Sequence, residues 1–114
     1  MTPAALQAFK ADFFRALAHP IRIRILETLG EGERSVQELQ SALRLDQPVV
    51  SQQLAVLRAK NIVASRKVGS TVRYALSDPL ITKLLSVARE IFNNHLVDLQ
   101  TMAGDDVAAA GGVG

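Results

Sequence analysis

The hydrophobic period of this chain changes after Asn61, and that change limits its fold more than any other feature. Up to Lys60 the apolar residues recur every three to four positions, as along one face of a helix. From Val63 to Val68 and from Thr71 to Leu76 they alternate, as in strands, and the intervening Gly69-Ser70 is a two-residue hairpin signal. After Asp78-Pro79 the helical period returns and runs to roughly Leu99. The expected fold is mainly α with one small β-hairpin.

Start and stop signals divide the helical part. Thr2-Pro3 opens a first helix with Leu6, Phe9, Phe13 and Leu17 at helical spacing and Phe14 beside them. Pro20 ends it and starts a second, because proline fits a first helical turn and disfavours helix in the residue before it; His19 is expected to cap that helix. Ile21, Ile25, Leu26 and Leu29 share a face there, with Gly30 and Gly32 as the stop. Ser35 and Glu38 fit a reciprocal capping box for a short third helix, with Val36, Leu39, Ala42 and Leu43 inward, ending near Arg44-Leu45. Asp46 is expected to cap a fourth, which tolerates Pro48 in its first turn and buries Val50, Leu54 and Leu57. Gln47, Ser51, Ala55 and Arg58 fall on its opposite face, with Gln52 alongside. The last helix, from Leu80, carries apolar residues over more than one face. The final GDDVAAAGGVG has too little apolar bulk to pack, so residues 1–102 are read as the domain and 103–114 as a disordered tail.

Composition removes whole classes of function. At 114 residues with 48 % hydrophobic and 21 % charged content, the chain is one small globular domain. It has no cysteine, which excludes disulfides, thiolate metal sites and cysteine redox switches. No apolar run approaches membrane-spanning length and the first residues lack a signal-peptide order, so the expectation is a cytoplasmic protein. Two histidines far apart in sequence, no nucleophile elbow and no phosphate-cradling glycine loop give catalysis little support. Glu31, Glu33 and Glu38 around one turn read as solvated or capping groups.

Charge is unevenly placed. Between Gln47 and Ser77 there is no acidic residue, yet Arg58, Lys60, Arg66, Lys67 and Arg73 all lie in that window, inside a chain whose net charge is only +2. Such a window suits a polyanion, since cations near phosphates release condensed counterions. A capped short helix joined by a few residues to a helix that exposes Gln, Ser and Arg is what a helix-turn-helix requires, and the hairpin after it would be a wing. Gln47, Ser51 and Gln52, with Val49 among them, are the expected base-reading residues: Gln can bond bidentately to adenine and Ser to either base type. Arg58, Lys60, Arg66, Lys67 and Arg73 would hold the backbone or minor groove of double-stranded DNA.

FFRALAHPIRIRILETL together with the stretch from Arg34 to Leu76 resembles the ArsR/SmtB family of bacterial winged-helix repressors, over about residues 9 to 99. The most specific pieces are Ala18-His19-Pro20 with Arg22, Ile25 and Leu26, the segment from Gln47 to Leu54, and Gly69 in the wing. The resemblance implies a homodimer built on the first and last helices, an imperfect inverted-repeat operator, and an inducer, commonly a metal ion, that changes DNA affinity.

The chain departs from that pattern in its metal-sensing positions and in the residues that would make specific base contacts. Ser35-Val36-Gln37-Glu38-Leu39 stands where metal-sensing members carry Cys-x-Cys, and Ser51-Gln52-Gln53-Leu54 where many carry SHHL. The last helix offers His95 and Asp98, one turn apart, as ligands for a divalent ion such as nickel or zinc, although a histidine near an acid is more often a solvated pair. Two alternatives therefore stand beside a DNA-binding regulator: a metal-sensing member with a nitrogen/oxygen site near the last helix, and a module whose wing and last helix bind a partner protein.

Overall fold

In the computed structural model residues 1–110 are described, except for the side chains of residues 97, 98 and 103–110. Five helices and three short strands follow in the order α1 (Pro3–Leu17), α2 (Pro20–Leu29), β1 (Arg34–Ser35), α3 (Val36–Leu43), α4 (Gln47–Ala59), β2 (Val63–Val68), β3 (Thr71–Leu76) and α5 (Leu80–Ala110). Met1–Thr82 forms one compact unit and α5 beyond Thr82 another.

Local chemistry sets most of these ends. The Thr2 hydroxyl accepts from the Ala5 amide, and His19 Nδ1 accepts from the Ile21 amide, each at 3.1 Å. His19 is thus a helix cap, as expected. In α3 the Ser35 hydroxyl accepts from the Glu38 amide at 3.1 Å while Glu38 accepts from the Ser35 amide at 3.0 Å, completing the capping box. Asp46 behaves differently from expectation: it occupies the position before α4, but its side chain makes no cap hydrogen bond. Pro48, second in the helix, has no N–H to offer, and the amides of Val49 and Val50 bond the Asp46 carbonyl instead.

The C-terminus of α4 decides where the wing begins. Asn61 takes φ 57°, the Ile62 amide donates to the Leu57 carbonyl and the Asn61 amide to the Arg58 carbonyl. This is the Schellman pattern, and its apolar contact is present because Leu57 and Ile62 are both buried. Asparagine tolerates the left-handed conformation that this reversal demands.

β2 and β3 pair antiparallel from Val63↔Leu76 to Val68↔Thr71, with the bounds the alternation indicates. Gly69 supplies a positive φ, 63°, at the first turn position. The strand β1 is new: two residues add to the outer edge of β3, Arg34 opposite Tyr74 and Ser35 opposite Arg73, making a sheet of order β1-β3-β2. Two residues are too few to show a period, so alternation does not reveal them.

The core lies where α2, α3, α4 and the start of β2 meet. Ile25, Leu26, Leu39, Val50, Leu54, Leu57, Ile62 and Val63 exclude nearly all solvent, and each such side chain contributes about 1.5–3 kcal/mol. Ala42, expected inward, is exposed, and on α1 only Ala16 and Leu17 are buried. The last helix continues past Leu99 to Ala110. No proline stops it, and one interior glycine, Gly104, costs only about 1 kcal/mol. Of the expected tail, residues 111–114 and the side chains of 103–110 lie outside the described residues.

Candidate nucleic-acid interface

One side chain and one backbone turn set the short helix pair that presents α4. Arg24 Nη2 donates to the Leu43 carbonyl at 2.7 Å, a cation on the last turn of α3 where carbonyls lack partners. Arg44 then turns the chain with φ 55° into α4. With Val50, Leu54 and Leu57 sealed inward, the geometry of a 3.6-residue helix leaves Gln47, Ser51, Gln52, Ala55 and Arg58 on the outer side. Gln47 Nε2 donates to Ser51 Oγ at 2.7 Å, one turn along. The Gln52 side chain is exposed and makes no hydrogen bond among the described residues. Val49 is half-buried.

Gln53 turns the other way. Its side-chain oxygen accepts from Arg22 Nη1 of α2 at 3.2 Å, while Arg22 Nε is buried without a partner. Nothing in the local sequence separates Gln52 from Gln53 by type; only helical phase and the nearness of α2 do.

The sheet register sorts the wing's charges onto two faces. Residues paired across strands point to the same side, and neighbours along a strand to opposite sides. Arg66 opposite Arg73, next to Ser35, lies on one face; Lys67 opposite Val72 shares the other with Ser65 and Tyr74. Tyr74 lines an open groove with Ser51, Ala55 and Arg58 of α4. Lys67 is therefore on the wing face that looks toward the outer side of α4.

Arg66 and Arg73 meet acids instead. Arg66 donates through Nε and Nη2 to the two oxygens of Glu33, at 3.0 and 2.7 Å. Arg73 donates to Glu33 Oε1 at 3.0 Å, to Glu38 Oε1 at 2.8 Å and to the Glu33 carbonyl at 3.1 Å. The Arg66 guanidinium first, and then that of Arg73, holds the Glu33 carboxyl below its usual range. Glu38 is lowered chiefly by the Ser35 amide and then by Arg73. Lys60 pairs with Asp12 of α1 at 2.9 Å, and lowers that carboxyl too. Of the five cations in the basic window, Arg58 and Lys67 are the exposed ones without an acidic partner among the described residues. Glu38 caps α3 as expected, but Glu33 and Glu38 also pair with the wing arginines, so they are not simply solvated or capping groups. The signal was out of reach in sequence because the pairs span 33 to 40 residues.

His95 is exposed on α5, and the side chain of Asp98 lies outside the described residues. Among the described residues no three His, Cys, Asp or Glu side chains gather as a metal site would need. One histidine and one neighbouring acid give at most two of the four ligands of a closed zinc shell, so the residues of one chain do not fit a complete site. No helix is long and apolar enough to cross a membrane among the described residues.

Known proteins resemble this chain in sequence and in fold. Residues 19–65 match the family model for bacterial regulatory proteins of the arsR family. The chain is 44 % identical over 112 residues to an uncharacterised HTH-type transcriptional regulator of Mycobacterium tuberculosis, Rv0081, covering 97 % of both. It is 38 % identical over 82 residues to the biofilm growth-associated repressor of Xylella fastidiosa, covering 72 % of each. The crystal structure of Rv0081 superposes with a TM-score of 0.76 over 86 % of this chain and 97 % of that one, at 46 % identity. A homodimeric winged helix-turn-helix DNA-binding domain from Mycobacterium bovis superposes with a TM-score of 0.75 over 84 % and 91 %, at 26 % identity.

Proposed function

Since this chain belongs to the arsR family of bacterial regulatory proteins, and is a winged helix-turn-helix DNA-binding transcriptional regulator and not an enzyme, we propose that it acts as a homodimer that reads an inverted-repeat operator through α4. The observation that carries the reading is the outer side of α4, where Gln47, Ser51, Gln52 and Arg58 stand over a fully buried stripe. Gln47, Ser51 and Gln52 read base edges in the major groove, with Val49 at the margin. Arg58 and Lys67 hold the sugar–phosphate strand between helix and wing, Lys60 contributes less because Asp12 engages it, and Arg66 and Arg73 are taken up by Glu33 and Glu38.

Dimerisation is supported by apolar surface that a single chain leaves in water. Phe9 and Phe14 of α1 are 64 % and 56 % exposed, and Ile91 and Phe92 of α5 are 60 % and 61 %. Leu96, Leu99 and Met102 continue the α5 series at helical spacing. A second copy is the occupant we assign, as in the homodimeric mycobacterial domain, and its two-fold axis would set two recognition helices about one DNA turn, roughly 34 Å, apart. The same surface argues against a separate partner protein as its main use. A metal effector would be held through nitrogen and oxygen donors, since there is no cysteine; a site shared by two copies of His95 and Asp98 is the form it would take. Crosslinking the protein to genomic DNA, sequencing the fragments and titrating the recovered duplex by fluorescence anisotropy tests the reading. Absence of any enriched inverted repeat would sink it.

A further inference from the structure

The wing is less basic in space than in sequence. Arg66 turns the Nε–Nη2 edge of its guanidinium onto the Glu33 carboxylate, and all three guanidinium nitrogens of Arg73 donate to Glu33 and Glu38. Two guanidiniums facing two carboxylates leave this face of the wing with no net charge. Glu33 is also anchored: its carbonyl accepts from Arg73, and the next residue, Arg34, is already paired with Tyr74 in the sheet. It is held at the start of the edge strand β1 and cannot drift away as a surface carboxylate on a free loop would. The Arg66 side chain is 65 % exposed against 28 % for both Arg73 and Glu33, so Arg66 is the member able to swing toward a phosphate.

We propose that Glu33 is a specificity-determining residue, withholding the wing arginines from the DNA backbone and so limiting the protein's hold on arbitrary duplex. The inference rests on the reading of α4 and the wing as a duplex-binding surface. Sequence-independent binding is almost wholly electrostatic and grows with each cation that displaces a condensed counterion. A guanidinium already matched by a carboxylate displaces little. Base reading by α4 fixes the wing in one register on the operator, whereas on random duplex a freed arginine can settle in any register that brings it to a phosphate, so withholding it costs the operator complex less. Glu33 thereby widens the gap between operator and bulk DNA without touching a base.

Anisotropy titrations of the full chain with a random-sequence duplex, at salt from about 50 to 200 mM, test this. Glu33→Gln should bind random duplex several-fold tighter, with the log K against log salt slope steeper by about one. Glu33→Gln with Arg66→Gln should return to the wild-type slope. Arg66→Gln alone, at an exposed site where folding is safe, should leave the slope unchanged; a fall of about one unit would mean that Arg66 already contacts phosphate and would overturn the proposal. So would a Glu33→Gln protein, folded by its melting curve, that binds random duplex no tighter. A duplex recovered by selection should gain less than random duplex, and equal gains would overturn the claim on specificity. If wild-type binding to random duplex shows no salt dependence, the DNA-binding surface itself is misassigned; a salt-dependent wild type with an unresponsive Glu33→Gln removes this inference alone.

Discussion

Arg22 Nη1 donates a hydrogen bond to the side-chain oxygen of Gln53 at 3.2 Å, fixing the inner flank of α4 against α2. One residue earlier, the Gln52 side chain is exposed and has no protein hydrogen bond among the described residues. Two adjacent glutamines thus have separate jobs, one structural and one available to a base.

Substitution should separate them. Gln52→Ala is expected to weaken operator binding by about 1–3 kcal/mol with little effect on random duplex. Gln53→Ala strips Arg22 of its partner where Nε is already unsatisfied, and should lower stability by about 1 kcal/mol. Anisotropy on the two duplexes and thermal melting read the two effects; a Gln52→Ala loss of equal size on both DNAs would mean that Gln52 reads no base.

Salt dependence should rank the cations by their neighbours. Arg58→Ala and Lys67→Ala are each expected to flatten the salt slope by about one unit, since neither faces an acid. Lys60→Ala should flatten it less, because Asp12 sits 2.9 Å from its Nζ. Equal flattening by all three would show that the ion pairs open freely on DNA.

Ile91→Asp combined with Phe92→Asp puts two charges into the apolar series of α5 and should convert the dimer to monomer at micromolar concentration, with operator affinity lost in parallel. Light scattering reads the mass. An unchanged dimer would place the interface elsewhere.

Acid should loosen the wing. Glu33, Glu38 and Asp12 have native pKa values below their ordinary ones, through Arg66, the Ser35 amide and Lys60 respectively. A lowered native value means that the stabilisation is fully present above the unfolded pKa, about 4, and is lost as pH falls through the lower native value. Melting temperature should therefore hold above about pH 5 and drop below about pH 4, less steeply in Glu33→Gln. Parallel profiles for both proteins would show that Glu33 contributes nothing to the acid response.

Core truncation sets the scale for these effects. Leu57 is fully buried and carries the apolar contact of the turn that leads into the wing. Leu57→Ala is expected to cost about 2–5 kcal/mol in a denaturant titration; a cost under about 1 kcal/mol would mean that the turn does not depend on that contact.

The sequence by itself determined what depends on neighbours three or four residues away. The change of period at Asn61, the Ser35–Glu38 box, the proline starts at Pro3 and Pro20, and the strands on either side of Gly69-Ser70 are all local, and each stands where its residues indicate. The outer side of α4 was legible for the same reason, since three buried residues fix the phase of a helix. Only the tertiary structure decided which cations are free. A charge count registers Arg66 and Arg73 as part of a basic window; their availability depends on Glu33 and Glu38, brought opposite them by a two-residue strand too short to have a period. The same holds for Gln53, whose partner lies 31 residues away. Secondary structure is written in spacing along the chain, whereas the electrostatics of a surface follow from register between segments that the sequence keeps apart.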